Sequence, residues 1–178
     1  METVRVLLEE LGRRWQHVRG VGETAEGLLE RMGPIGPLVV RAAWWHDVGY
    51  APELHETGHH AIDGALYLKK SGRDEELVNL VAWHTGSEFE AEQRGLLREL
   101  EKFPKPNPIA LDLLTLIDLS TGPDGEPIRE ERRIAEILNR YGPRDPVHRA
   151  VAASGPGLIA ASTRAKLSLG LPDCWPIC

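Results

Sequence analysis

The sequence predicts an all-α protein. Apolar residues recur three or four positions apart in most segments, for example at Leu77, Leu80 and Val81, which is the spacing of one buried helix face. No segment alternates apolar and polar residues as half-buried strands do, and proline and glycine clusters separate the helical segments. We therefore expect helices packed around one core.

The composition is that of a globular protein. The 178 residues are 27% charged and 42% hydrophobic, with a net charge of −6, and a chain of this length can bury roughly 70% of its unfolded surface. The acidic balance argues against stable nucleic-acid binding, which needs a basic excess. The sequence has neither an 18-residue apolar run nor an apolar signal region at its start. We therefore expect a cytoplasmic protein without membrane contact, and the composition indicates no oligomeric state.

Turn residues divide the chain into successive helices. The expected helices cover residues 2–11, 13–32, 37–47, 58–68, 74–84, 87–103, 109–119, 127–141 and 146–169. Ser87 and Glu90 have the spacing of a capping box at the start of one helix. Gly155-Pro156-Gly157 predicts a break within the last segment, because proline removes a helix hydrogen bond.

An apolar helix ends in a histidine and an aspartate. Residues 38–45 are apolar apart from one arginine, and His46, Asp47 and Gly49 follow. We expect Gly49 to end the helix in the left-handed conformation. Burying an imidazole beside a carboxylate costs several kcal/mol, roughly, unless the pair is hydrogen-bonded or bound to a cation. The partial negative charge of the helix end favours a metal ion. For this fragment alone, a histidine cap with Asp47 in solvent is the alternative.

Further polar groups lie at the edges or ends of apolar helix faces. The six candidate metal ligands are His17, His46, Asp47, His60, His84 and Asp118. Imidazole and carboxylate groups suit iron, manganese, zinc, cobalt or nickel, and they argue against calcium or a thiolate cluster. Helices around one core can bring such groups together. Six ligands can hold two divalent ions if one carboxylate bridges them, and fewer ligands hold one ion.

This pattern resembles the HD superfamily of metal-dependent phosphohydrolases. The resemblance covers about residues 13–125, and its most specific element is His46-Asp47-Val48-Gly49 in its apolar helix. It implies an HD-type helical bundle with a metal site at its centre and Asp47 as the bridge between two ions. It also implies a core ligand set of His17, His46, Asp47 and Asp118, to which two-metal members add His60 and His84.

The two-metal arrangement is similar to that of small bacterial HD hydrolases that split diadenosine tetraphosphate, which have a stretch like His84-Thr85-Gly86. Tyr50 stands where many HD proteins have lysine. The chain lacks the motifs of the branch that hydrolyses cyclic di-GMP. We expect one domain over residues 1–178, with the metal-site core at about 13–125, C-terminal helices at 127–169 and a tail at 170–178.

The resemblance predicts a phosphohydrolase that acts on a nucleotide or another small phosphate ester. One or two divalent transition-metal ions would turn bound water into hydroxide near neutral pH, with His46 and Asp47 as the catalytic pair. A di-iron HD-fold oxygenase and a non-catalytic nucleotide-binding module are the alternatives.

Other residues are interpreted as structural. His55 and His59 are expected in solvent or in a substrate loop, and Gly64 is small enough to let another backbone approach closely. Cys174 and Cys178 are interpreted as incidental thiols of the tail. A disulfide or a metal site is the alternative for this pair.

Overall fold

Helices make up the regular structure of residues 2–178, which the computed structural model describes. Within that range there is one isolated β-bridge, between Thr121 and Pro127, and no β-strand. The all-α prediction is therefore confirmed. The α-helices are α1 (Glu2–Leu8), α2 (Arg13–Gly27), α3 (Leu29–Met32), α4 (Gly36–Trp45), α5 (His60–Lys70), α6 (Glu75–Trp83), α7 (Ser87–Arg94), α8 (Leu97–Leu100), α9 (Pro108–Leu119), α10 (Glu130–Arg140) and α11 (Pro146–Leu169). Across residues 2–178, every helix is too short or too polar to span a membrane.

The apolar helix α4 lies at the centre of the bundle. It packs against α2, α6 and α9, and Val39, Ala42 and Ala43 are fully buried. Helix α2 approaches it closely because Gly22 has no side chain, and a methyl group at that position would overlap the indole of Trp44. The centre of the fold is therefore the helix that carries the histidine and aspartate pair at its end.

The predicted capping box at Ser87 is wrong. Gly86 precedes α7 in the left-handed conformation, with φ of 76°, and it turns the chain back toward α6. The Ser87 hydroxyl consequently donates to the carbonyl oxygen of Ala82 instead of accepting from its own helix. The single helix expected over 87–103 is also divided, because Gly95 adopts φ of 72° and ends α7.

The break predicted at Gly155-Pro156-Gly157 is wrong, because α11 is one continuous helix of 24 residues. Pro156 cannot donate to the carbonyl of Ala152, but both residues are exposed. The carbonyl that loses its helix partner therefore lies on the solvent side, where water can replace the hydrogen bond. A proline start at Pro127 is wrong as well, since α10 begins at Glu130.

Substituting Pro156 by alanine should stabilise the protein. The change restores the lost hydrogen bond within α11, and we expect a gain of about 1–2 kcal/mol in the free energy of unfolding. Pro146→Ala is the matched control, because the first residue of the helix has no backbone hydrogen bond to restore. Urea denaturation of both variants measures the difference. Equal effects of the two substitutions would contradict a hydrogen-bond cost at Pro156.

Two glycines allow α5 to cross the end of α4. Gly49 lies in the 3-10 turn Val48–Tyr50 and has no positive φ, so the predicted left-handed terminator is wrong. A methyl group at Gly49 would instead overlap the carbonyl oxygen of His60 and lie 2.6 Å from the amide nitrogen of Gly64. The close approach predicted for Gly64 is confirmed, since a methyl group there would lie 3.1 Å from the amide nitrogen of Gly49.

The C-terminal tail is closed by a disulfide. Cys174 and Cys178 are bonded, with their Cα atoms 5.6 Å apart. Turns in the tail bring them together, because Trp175 donates to the carbonyl of Pro172 and Ile177 to that of Cys174. The interpretation of these residues as incidental thiols is wrong, and the disulfide alternative is correct.

Candidate metal centre

The six predicted ligands converge at one end of the bundle core. They come from the second turn of α2, the two residues after α4, the first residue of α5, the residue after α6 and the last turn of α9. They form two groups, in each of which the ligand atoms lie within 4.8 Å of one another. The first group is His17, His46 and Asp118, and the second is Asp47, His60 and His84.

The carboxylate of Asp47, which belongs to the second group, also faces the histidines of the first. Its Oδ2 is 3.3 Å from Nε2 of His46 and 3.9 Å from Nε2 of His17. Its Oδ1 is 3.5 Å from Nε2 of His60 and 3.8 Å from Nε2 of His84. Each oxygen therefore faces a different group of ligands.

Backbone carbonyls orient three of the imidazoles. Nδ1 of His17 is 3.1 Å from the carbonyl oxygen of Gly122, and Nδ1 of His46 and His84 is 2.7 and 2.6 Å from the carbonyls three residues earlier. Because a carbonyl oxygen only accepts, each Nδ1 must carry the hydrogen and donate. In the neutral ring, the lone pair of Nε2 then points to the centre of the cluster, as metal-binding histidines require.

The short distances between the candidate ligand atoms suit a bound cation. Nε2 of His17 lies 3.0 Å from Oδ1 of Asp118, although the only hydrogen of the neutral ring is on Nδ1. Nε2 of His60 lies 3.3 Å from Nε2 of His84. Ligand atoms about 2.1 Å from one ion stand about 3.0 Å apart at right angles and about 3.4 Å apart at the tetrahedral angle. The spacing of the donors therefore fits a transition-metal ion in each group.

The ionisation of the cluster suits metal binding. Burial lowers the pKa of His17 and His60 and lowers that of His84 to about 4, so these rings are neutral near pH 7. Burial alone would raise the pKa of Asp47, but Arg14 and the neighbouring histidines hold it well below the usual range. Burial alone would also raise the pKa of Asp118, but the neighbouring His17 and His46 together more than offset this and lower it. Metal ligands must be deprotonated, and these groups are.

His46 shows most directly that positive charge is favoured at the centre. Its Nε2 is buried and has no hydrogen-bond partner. Burial alone lowers the pKa of His46, but the carboxylate of Asp47 more than offsets this and raises it. A proton or a metal ion at Nε2 satisfies both the nitrogen and the carboxylate.

An arginine that the sequence analysis overlooked lies directly on the cluster. The Arg14 guanidinium donates to Oδ2 of Asp47 and lies over the ring of Tyr50, 4.0 Å from its centroid. The Tyr50 ring in turn stacks on His60 at 4.2 Å. Arg14 precedes His17 by three residues, so helical spacing alone placed both on one face of α2.

Two adjoining cavities open beside the cluster. The smaller, of about 90 Å³, is lined by five of the six ligands. The larger, of about 190 Å³, shares His17, Arg14, Arg133 and Arg140 with it. The two arginines of α10 are further residues that the sequence analysis missed. The sequence indicates only that Arg133 and Arg140 lie on one face of α10, because seven residues make about two helical turns.

The remaining histidines lie outside both groups of ligands. His55 is exposed, as expected. His59 is fully buried, so its placement in solvent is wrong. Its ring caps α5 by accepting from the amide of Ile62 and bonds to the carbonyl of Ser87. His148 bonds to the carbonyls of Leu138 and Tyr141 and is not a member of either group.

The sequence was compared with models of known protein families. The HD domain model matches residues 14–143, which is more than half of the chain. The chain belongs to the HD domain family. The expected membership of the HD superfamily is thereby confirmed, and HD domains are generally metal-dependent hydrolases that bind divalent metals. The searches of curated proteins and of solved structures each find no match.

Proposed function

We propose that this HD domain protein is a phosphohydrolase that uses divalent transition-metal ions to cleave a nucleotide or another small phosphate ester. The observation that carries the proposal is the position of Asp47, whose two carboxylate oxygens face two separate groups of ligands. A carboxylate that faces two ligand groups can bridge two ions, and two-metal centres are used in enzymatic phosphoryl hydrolysis.

The proposed ligand assignment follows from the two groups. His17, His46 and Asp118 would hold one ion, His60 and His84 the other, and Asp47 would bind both. When bound, divalent transition metals lower the pKa of water, in the best cases to about 7, and thus supply hydroxide at neutral pH. The carbonyl bonds to Nδ1 keep three of the imidazoles in the orientation that this role needs.

The protein around the ligands contributes exclusion of water and positive charge. His17, His46 and Asp47 are each at most 3% exposed, and the low local dielectric strengthens their interactions with an ion. Arg14 reaches Asp47 from the side of the cavity. An anionic phosphate can therefore approach the centre although the protein carries a net charge of −6.

Elemental analysis of the purified protein, combined with a panel of phosphate esters, tests the proposal. We expect bound iron, manganese, zinc, cobalt or nickel, and release of phosphate from at least one nucleotide or aryl phosphate when the matching metal is added. The release should continue without oxygen, because hydrolysis consumes only water. A metal-loaded protein that hydrolyses none of the esters would contradict the proposal, and turnover that requires oxygen would indicate an oxygenase instead.

A further inference from the structure

The larger cavity beside the metal centre is lined mainly by cationic side chains. Its volume is about 190 Å³, several times the roughly 30 Å³ that a water molecule occupies in the liquid. Four of its six lining residues are arginines, and none is acidic. The lining residues are Arg13, Arg14, His17, Pro123, Arg133 and Arg140. Such a surface is unexpected in a chain with a net charge of −6, because the arginines there repel one another.

Three carboxylates offset part of this charge from outside the cavity. Asp124 binds Arg13 through both oxygens, at 2.7 and 2.9 Å, and Asp47 binds Arg14. The two arginines of α10 share a single partner. Glu136 accepts from Arg133 at 2.6 Å and from Nε of Arg140 at 2.9 Å. Arg133 and Arg140 together thus carry one more positive charge than their shared carboxylate neutralises.

Arg133 has an unused donor at this place. The residue is only 4% exposed, and its Nε is buried without a hydrogen-bond partner. A buried unpaired donor of a charged group costs about 1–3 kcal/mol or more. Arg133 lines both the larger cavity and the smaller one that contains the candidate ligands, so an anion bound by its guanidinium would lie next to the metal centre.

We propose that Arg133 and Arg140 form an anion subsite for a second phosphate group of the substrate, adjacent to the phosphoryl group at the metal centre. This inference rests on the proposed function. Guanidinium groups suit the task because their planar set of donors matches phosphate oxygens in pairs. Arg133 is the buried anchor, and Arg140, whose side chain is 32% exposed, stands at the cavity mouth. The preferred substrate is therefore one that carries two linked phosphates.

Binding of two phosphonates to the metal-containing protein tests the subsite without turnover. Methylenediphosphonate has two phosphonate groups and no bond that a phosphohydrolase cleaves, whereas methylphosphonate has one such group. By titration calorimetry, we expect the wild type to bind the diphosphonate at least about tenfold more tightly, because charge-assisted hydrogen bonds add to the affinity. Arg133→Met and Arg140→Met should each reduce this preference to less than about threefold.

Arg132→Met is the matched control, because Arg132 is exposed on the same helix and does not line either cavity. It should keep the wild-type preference. Metal content measured before and after each titration shows whether the probe has removed the ions. Equal affinity of the wild type for both probes, or a preference that survives in Arg133→Met and Arg140→Met, would overturn the subsite. An intact preference in a protein that hydrolyses no phosphate ester would overturn the proposed function and leave the subsite standing.

Discussion

Replacing Asp47 by asparagine should remove bound metal and phosphate release together. The amide keeps the size of the side chain but loses the charge that faces the histidines of both groups. Loss of groups that only orient ligands already costs about 10–100-fold in metal affinity or activity. We therefore expect a larger loss here, with turnover at least about 100-fold lower. Elemental analysis and initial rates on the same preparation measure the two quantities.

The control for this variant is Asp112→Asn. Asp112 lies on α9 with Asp118, but it points outward and pairs with the exposed Arg164, a type of pair worth about 0–1 kcal/mol. Metal content and rate should stay at wild-type levels, as they should in His148→Ala. Circular dichroism shows whether Asp47→Asn keeps its helices. A folded Asp47→Asn protein that retains a full complement of metal would refute the bridging role of Asp47.

Gly49→Ala should destabilise the protein strongly. The added methyl group meets the backbone of α5 at His60 and Gly64, and backbone cannot turn aside as a side chain can. Overpacking costs about 1–3 kcal/mol and more where the backbone must move. We expect about 3 kcal/mol, which lowers the melting temperature by roughly 6–12 °C in a protein of this size. The displaced helix carries His60, so metal content should fall as well.

Gly27→Ala provides the comparison. Gly27 is the last residue of α2, and a methyl group there has nothing within 4 Å. Alanine loses less conformational freedom than glycine on folding, so this variant should be as stable as the wild type or more so, by about 0.5–1 kcal/mol. Calorimetric melting curves of both variants separate the two cases. Equal melting temperatures would show that the crossing at Gly49 tolerates a side chain.

The helices and the six candidate ligands could be identified because their signals are local. Apolar periodicity identifies α6 and α9, and His84 and Asp118 stand at or near the ends of those helices. Resemblance to the HD superfamily then indicated that these groups meet. The packing of the helices brings these groups together, and the spacing of the residues along the chain does not reveal it.

The errors arose where a local pattern has two physical outcomes. A serine before an acidic residue three positions later predicts a capping box, but the left-handed turn at Gly86 directs the Ser87 hydroxyl to α6. A glycine after a helix predicts a left-handed end, yet Gly49 is needed for a backbone crossing. Pro156 is tolerated inside α11 because that position faces solvent, which only the tertiary structure determines.

The arginines around the cluster were missed for a different reason. Metal chemistry directs attention to histidine and carboxylate, whereas a substrate is held by groups of opposite charge. Helical spacing from His17 could have identified Arg14. It could not have identified Arg133, because the position of Arg133 depends on how α10 packs beside the end of α9.

Helix α11 lies wholly beyond residues 14–143, to which the family match extends, yet it contacts the segments that carry the candidate ligands. Arg164 forms an ion pair with Asp112 on α9. Lys166 forms a buried ion pair with Glu130 of α10. Ser154 packs close to Gly86, two residues after His84. A chain trimmed to the matched stretch would lose all three supports at once. Preparations intended for biochemistry should therefore extend through α11, which contributes contacts that the matched stretch lacks.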